Sequence, residues 1–298
     1  MSDTAASLRR KIASAGELES VVRTMKAMAA SSIGQYESAV HSLDDYYRTV
    51  QLGLAASFRQ SERPGATTRA QRKDTGAIGA VVFGSDQGLV GQFNDVMVEF
   101  VVKALGSLPG RKTVWAVGER IQSRLADADL VPEERFILPN SIGAIAPLVG
   151  RILIEMETHR ERGGIAQVYL FHNRPESGAI YAPVSQRLLP LDDAWRRDLA
   201  AIRWPTGNLP EVMNGGEHTL LAFVREYLFV SLFRACAESL ASENASRLAA
   251  MQRAEKNIDE LLEGLKRTFY RLRQSGIDEE LFDVVSGFEA LAGPGRRQ

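Results

Sequence analysis

The chain has 298 residues, with 36 Lys+Arg against 37 Asp+Glu, 45% apolar and 24% charged residues, values of an ordinary folded protein rather than a disordered one. The near-neutral balance lacks the basicity a nucleic-acid binder needs, and the single cysteine, Cys236, excludes an internal disulfide framework and a multi-cysteine zinc site. Cys236 reads as a small buried hydrophobe.

From Thr4 to Gln60 there is no proline. Apolar side chains recur at Leu8, Ile12, Ala15, Leu18, Val22, Met25, Ala29, Ile33, Tyr36, Val40, Leu43, Tyr47, Val50 and Leu54. These steps of three or four residues average about 3.5, the coiled-coil period, and predict one helix over 1–60 about 75 Å long. Residues 61–75 are polar and basic and contain Pro64-Gly65, which reads as a linker.

Between 76 and 207 the character changes. Ala77–Phe83 is a short apolar run suited to a buried strand, then a Gly-rich turn leads to a helix over Asn94–Leu105. Further strands are expected at Thr113–Val117, Arg135–Leu138, Ala166–His172 and Ala179–Leu189, with helices at Glu119–Ala128 and Ile145–Glu161. Alternating strands and helices predict an α/β domain with a partly parallel sheet.

In the final zone, 208–291, proline is absent past His218 until Pro294. Leu248, Met251, Ile258, Leu262, Leu265, Phe269 and Leu272 step by three, four or seven, predicting a helix from Thr219 to about Gln274, and 292–298 form a tail. A compact body of this length has a radius of gyration of roughly 19 Å. Two helices of such length cannot both lie inside it and are expected to pair, antiparallel, as a projecting rod. A simple coiled-coil spacer would satisfy the same periodicity. Against it, Met25–Ser32 carries small or unbranched side chains on nearly every face, and Leu281–Leu291 is apolar on several faces. A helix smooth all round is normally enclosed by other protein.

No motif adds up to catalytic chemistry. Gly84-Ser-Asp-Gln-Gly-Leu-Val-Gly91 follows a strand and precedes a helix, the place of a phosphate loop, but its glycine spacing is not G-x-G-x-x-G. Gly106–Thr113 is one residue short of a P-loop and has Arg at the lysine position. Both read as turns. His41, His159, His172 and His218 show no metal-ligand spacing, and Asp192-Asp193 and Glu279-Glu280 point apart and read as solvated. Neither a metal nor a cofactor is expected.

Four blocks are nevertheless distinctive. Lys11-Ile-Ala-Ser14 followed by Val22–Ser31 resembles the N-terminal helix of the gamma subunit of F-type ATP synthases, K-I-x-S then I-T-x-A-M-x-M-V-A-x-x-K. Gly84–Asn94 resembles that family's S-S-D-x-G-L-C-G-x-x-N. Leu240-Ala-Ser-Glu-Asn-Ala-Ser-Arg-Leu-Ala-Ala-Met251 is similar to L-A-S-E-x-x-A-R-M-x-A-M, and Arg273–Gly287 to R-Q-x-x-I-T-x-E-I-x-E-I-V-x-G. The resemblance implies a long antiparallel two-helix coiled coil of the N- and C-terminal segments plus a Rossmann-like α/β domain.

It also implies a function: a non-catalytic central rotor shaft, coupling ion translocation to ATP synthesis or hydrolysis in other subunits. The implied partners are the catalytic and non-catalytic ring subunits around the coiled coil, with an epsilon-type subunit and a membrane ion-carrying ring at the base. The implied location is peripheral, on the cytoplasmic face of the bacterial inner membrane, and no nucleic acid is involved. Carried over position by position, Arg23, Met25, Lys26, Arg247, Arg273 and Gln274 become the residues expected to contact the catalytic subunits. Departures such as uncharged Ser32–Tyr36, Val90 at the family's cysteine and Asp278 at its threonine resemble the divergent alternate bacterial type. A coiled-coil scaffold with a partner-binding α/β domain is the alternative reading.

Overall fold

The computed structural model describes residues 4–61, 76–162, 164–191, 193–208 and 216–292. The linker residues 62–75, Asp192, Gly215 and the tail 293–298 lie outside them. The elements in chain order are α1 (Ala5–Ser61), β1 (Ala77–Phe83), α2 (Phe93–Gly106), β2 (Lys112–Val117), α3 (Glu119–Asp127) and β3 (Glu134–Phe136). A short 3-10 turn at Ile142–Ala144 leads into α4 (Ile145–Glu161), followed by β4 (Ile165–Glu176), β5 (Ala179–Leu189), α5 (Asp193–Ala200) and α6 (Gly216–Ala292). The chain divides into two compact units, residues 29–247 and residues 1–28 with 248–298.

In the larger unit the five strands stand in the order β3-β2-β1-β4-β5. β1 is parallel to β2 and to β4, β2 is parallel to β3, and β5 closes the edge antiparallel to β4. An edge strand tolerates Pro183 in β5, because only one side of its backbone must supply ladder hydrogen bonds. β1 is buried on both faces, as a central parallel strand should be, and its side chains alternate between two layers. Ile78, Ala80 and Val82 pack with Met97, Val101, Leu105, Ile121 and Leu125 from α2 and α3. Val81 and Phe83 face Leu148, Ile152, Leu54, Leu232 and Cys236 from α4, α1 and α6. Cys236 is fully buried, and burial raises its thiol pKa.

The long helices run antiparallel within each unit. In the larger unit Tyr47 stacks obliquely on Tyr227, with ring centroids 6.0 Å apart, and Arg234 pairs with Asp44. Gly53 lets the backbone approach closely: a Cβ there would lie 2.3 Å from Cζ of Phe223. In the smaller unit Arg9 lies over the ring of Phe269 at 5.3 Å, while Arg23 and Lys26 meet Glu255. Leu8, Ala15, Met251 and Leu262 are its buried stripe.

Four elements differ from the sequence expectation, among them β4, which runs on to Glu176 past His172 as the partner of β5. α6 does not stop near Gln274 but continues to Ala292, because Gly276 and Gly287 alone do not break a helix flanked by good helix formers. β3 ends at Phe136 rather than Leu138, whose N–H turns aside to donate to Asp86. α5 went unread because it spans eight residues, too few to show a period. Truncating the fully buried Leu54 to Ala should cost about 2–5 kcal/mol, measurable by chemical denaturation.

Candidate functional site

The glycine loop between β1 and α2 has the position of a phosphate loop but another occupant. The Asp86 carboxylate accepts from the N–H of Glu119 at 2.8 Å, the first residue of α3, and from the N–H of Leu138 at 3.1 Å. A helix N-terminus favours an anion, and here a side chain of the chain itself supplies it. Two glycines make this close fit. A Cβ at Gly84 would sit 2.2 Å from Cβ of Ile121, and Gly118, with φ 122°, passes the Ser85 carbonyl where a Cβ would lie 2.7 Å from its oxygen. Ser85 and Asn94 close the loop on itself: Asn94 Oδ1 accepts from the Ser85 N–H at 3.0 Å and Asn94 Nδ2 donates to Ser85 Oγ at 2.8 Å. The second glycine turn binds a cation rather than a phosphate, since Lys112 Nζ donates to the carbonyls of Leu108 and Gly110.

The outer side of this loop receives α6. Ser246 Oγ donates to the Val90 carbonyl at 2.6 Å, and one turn earlier Ser242 Oγ donates to the Asn173 carbonyl on β4 at 3.2 Å. Asn173 Nδ2 in turn donates to the Phe93 carbonyl at 3.1 Å. A further turn back, Glu238 Oε2 lies 2.7 Å from His172 Nε2, with both side chains almost wholly buried. Arg234 Nε donates to the other Glu238 oxygen at 2.8 Å, and its Nη1 reaches Asp44 on α1 at 3.1 Å. Burial alone would raise the Glu238 carboxyl, but hydrogen bonds from His172 and Arg234 outweigh it and hold the pKa below its ordinary value. Glu243 has the opposite sign: burial raises it in spite of the Arg247 guanidinium 2.6 Å away.

The six residues expected to contact a partner occupy different surroundings. Arg23 is exposed and pairs with both Glu19 and Glu255. Lys26 holds Glu255 at 2.5 Å, and Met25 is half-buried beside them. Arg247 is only 13% exposed, its guanidinium on Glu243 and its Nε buried without a partner, so it lies within the wall of the loop socket. Arg273 and Gln274 are exposed on α6. They stand near the limit of α1, because Arg9 lies opposite Phe269 and α1 begins at Ala5. Beyond them, among the described residues of the smaller unit, α6 has no facing helix. Ile277, Leu281, Phe282, Val284, Val285 and Phe288 are exposed there, Phe282 to 74% and Phe288 to 73%.

The family model described as ATP synthase matches residues 4–291. The chain belongs to the ATP synthase family. It is similar to the ATP synthase gamma chain of Syntrophus aciditrophicus, 27% identical over 300 residues and covering 96% of this chain and 97% of the relative. It is likewise similar to the gamma chain of Glaesserella parasuis, 26% identical with 95% and 98% covered. Its fold is like that of the rotor of the Euglena gracilis mitochondrial ATP synthase, with a TM-score of 0.66 at 16% identity over 92% of this chain and 98% of the other. The central stalk of the Tetrahymena thermophila mitochondrial ATP synthase aligns with a TM-score of 0.55 at 24% identity over 78% and 99%. The resemblance carried by the four sequence blocks, to a gamma subunit with two long terminal helices and a central mixed sheet, therefore stands. No helix among the described residues is long and apolar enough to cross a membrane.

The polar ties to the α/β domain leave only a faint sequence signal, the recurrence of Arg234, Glu238, Ser242 and Ser246 every four residues among small and apolar side chains. Two outcomes follow from these contacts. Asp86→Ala should lower stability by about 0.5–2 kcal/mol, because the N–H at the start of α3 and the half-buried Leu138 N–H lose their acceptor, as read by thermal or urea unfolding. A carboxyl held below its unfolded value contributes stability that is present above that value and lost as pH falls through the folded one. The stability of the wild type should therefore fall more steeply than that of Glu238→Gln as the pH is lowered below about 4.5, measured by urea titration at successive pH values.

Proposed function

We propose that this chain is the central rotor shaft of a membrane-attached F-type ATP synthase or ATPase, coupling ion translocation to ATP synthesis or hydrolysis carried out by other subunits. One observation carries the reading: the last turns of α6 expose a run of large apolar side chains with no facing helix among the described residues. Apolar surface of this extent, left bare on a water-soluble chain, marks a site covered by other protein. A ring of catalytic and non-catalytic subunits closing around the coiled coil covers it, and the α/β domain docks an epsilon-type subunit and the ion-carrying ring. The gamma-chain names of its relatives and the rotor and central-stalk titles of the similar structures agree with this reading.

The chain itself performs no catalysis. The one loop placed like a phosphate cradle already has its helix-terminal anion position filled by Asp86. Functionally, 1–60 and 208–291 serve as the shaft and 76–207 as the base. The location is peripheral, on the cytoplasmic face of the bacterial inner membrane, through the complex. The departures at Ser32–Tyr36, Val90 and Asp278 support reading it as the alternate bacterial type.

Exposed Arg273 and Gln274 offer directional donors to carbonyls or carboxylates of the catalytic subunits. Arg23 and Lys26 present a basic patch tethered by Glu255 with Met25 beside them, and Arg247, paired with Glu243, is a further candidate contact. The chain should co-purify with a membrane-attached ATPase. Within that complex, Arg273→Ala with Gln274→Ala should cut ATP-driven ion pumping about tenfold, the scale of one charge-assisted hydrogen bond, and leave the circular dichroism of the chain unchanged. A stable, soluble homodimer with no ATPase association, or unchanged pumping by the double variant, would count against the shaft or against these contacts respectively.

A further inference from the structure

A shaft that turns must be fixed to its base against twisting, and apolar packing alone does this poorly because it is non-directional. At the junction of α1, α6 and the sheet two open clefts flank the Arg234–Glu238 pair. A cleft of about 370 Å³ bordered by Tyr47, His172, Gln186 and Ser231 lies against the pair. A second cleft of about 380 Å³, bordered by Glu37, Val40, His41 and Ala241, borders the same pair. What bridges the elements at this level is a row of hydrogen bonds.

That row has a regular geometry. Arg234, Glu238, Ser242 and Ser246 lie four residues apart and therefore along one face of α6. Each reaches a different fixed point: Asp44 on α1, His172 on β4, the Asn173 carbonyl on β4, and the Val90 carbonyl in the glycine loop. His172 and Asn173 pair with β5, and β4 pairs with β1 up to the adjacent Phe171, so a force applied at them passes into the sheet. Charge-assisted bonds of the Arg–carboxylate and His–carboxylate kind hold a set direction as well as a distance. Two such ties with two neutral hydroxyl–carbonyl bonds, spread over three helical turns, resist rotation of α6 about its own axis better than one.

We propose that this stripe is a spline: Arg234, Glu238, Ser242 and Ser246, with Asp44, His172 and Asn173 as their seats, lock the shaft helices to the α/β base and transmit torque between them. The proposal rests on the rotor reading, and it assigns positioning residues, not contacts to a partner. A merely structural role predicts less stable or less abundant complex with the same number of ions moved per ATP. A spline predicts slip, with hydrolysis continuing while pumping fails.

Two variant sets in the assembled complex separate these. His172→Leu with Glu238→Met replaces a buried bonded pair by apolar groups, a change often neutral for stability where removal of one partner is not. Ser242→Ala with Ser246→Ala removes two ties at almost no change in volume and keeps the complex assembled where the first set impairs it. ATP hydrolysis and ATP-driven ion uptake are read together in vesicles of the same preparation. The expected result is a lowered ratio of uptake to hydrolysis in both sets, larger for His172→Leu/Glu238→Met, with Glu238→Gln restoring part of it because the amide oxygen still accepts from one of the two donors. A wild-type ratio in the serine set, or a ratio unchanged wherever the complex assembles, overturns the spline. Failure of the wild-type chain to support pumping at all would instead sink the rotor reading, and the spline with it.

Discussion

Neither long helix can bury its apolar stripe without the other, and they are made from opposite ends of the chain. Arg23 finds Glu255 across 232 residues of sequence, and Tyr46 finds Glu226 across 180. Such pairings return nothing until the intervening loop has closed, and that closure costs entropy. The α/β segment between them is what makes closure worthwhile. Its sheet offers one face to α2 and α3 and the other to α4 and the long helices, so folding the middle of the chain prepares the surface on which the two ends meet.

The same surface explains why the glycine loop has the form of a nucleotide site and none of its vacancy. A strand leading through small residues into a helix exposes unpaired N–H groups, and these require an acceptor. A nucleotide-binding protein leaves that place for phosphate. Here Asp86 fills it from within and joins the loop to α3 and to the end of β3, which turns a ligand site into a rigid corner. Ser246 then uses the far wall of that corner as a seat. Two of the sequence blocks that mark the family, the glycine loop and the Leu240–Met251 segment, are thus two halves of one joint.

Buried polar groups are costly unless satisfied, and this joint contains several in a row. Glu238 is satisfied twice over, which outweighs its burial, whereas Glu243 is not fully compensated by Arg247 and its carboxyl is raised. An apolar seam of the same size would hold the parts together at lower risk. It would not fix their angle. The direction-setting bonds between α6 and the sheet fit a part whose task is mechanical rather than chemical.

By itself the sequence determined the elements and their partners in broad terms. The steps of 3.5 residues from Leu8 to Leu54 needed only the helical period to be read, and Ala77–Phe83 only its unbroken apolar run. The absence of a regular glycine motif already argued against a phosphate site, and the four blocks carried the family. Tertiary structure alone decided the rest, because it depends on contacts far apart in the chain. That Asp86 caps α3 and that Arg247 faces Glu243 instead of solvent are not local properties. The polar stripe on α6 shows the division well. Its four-residue spacing is written in the sequence, but a serine or glutamate on a helix has no meaning until the fold places a carbonyl or an imidazole opposite it.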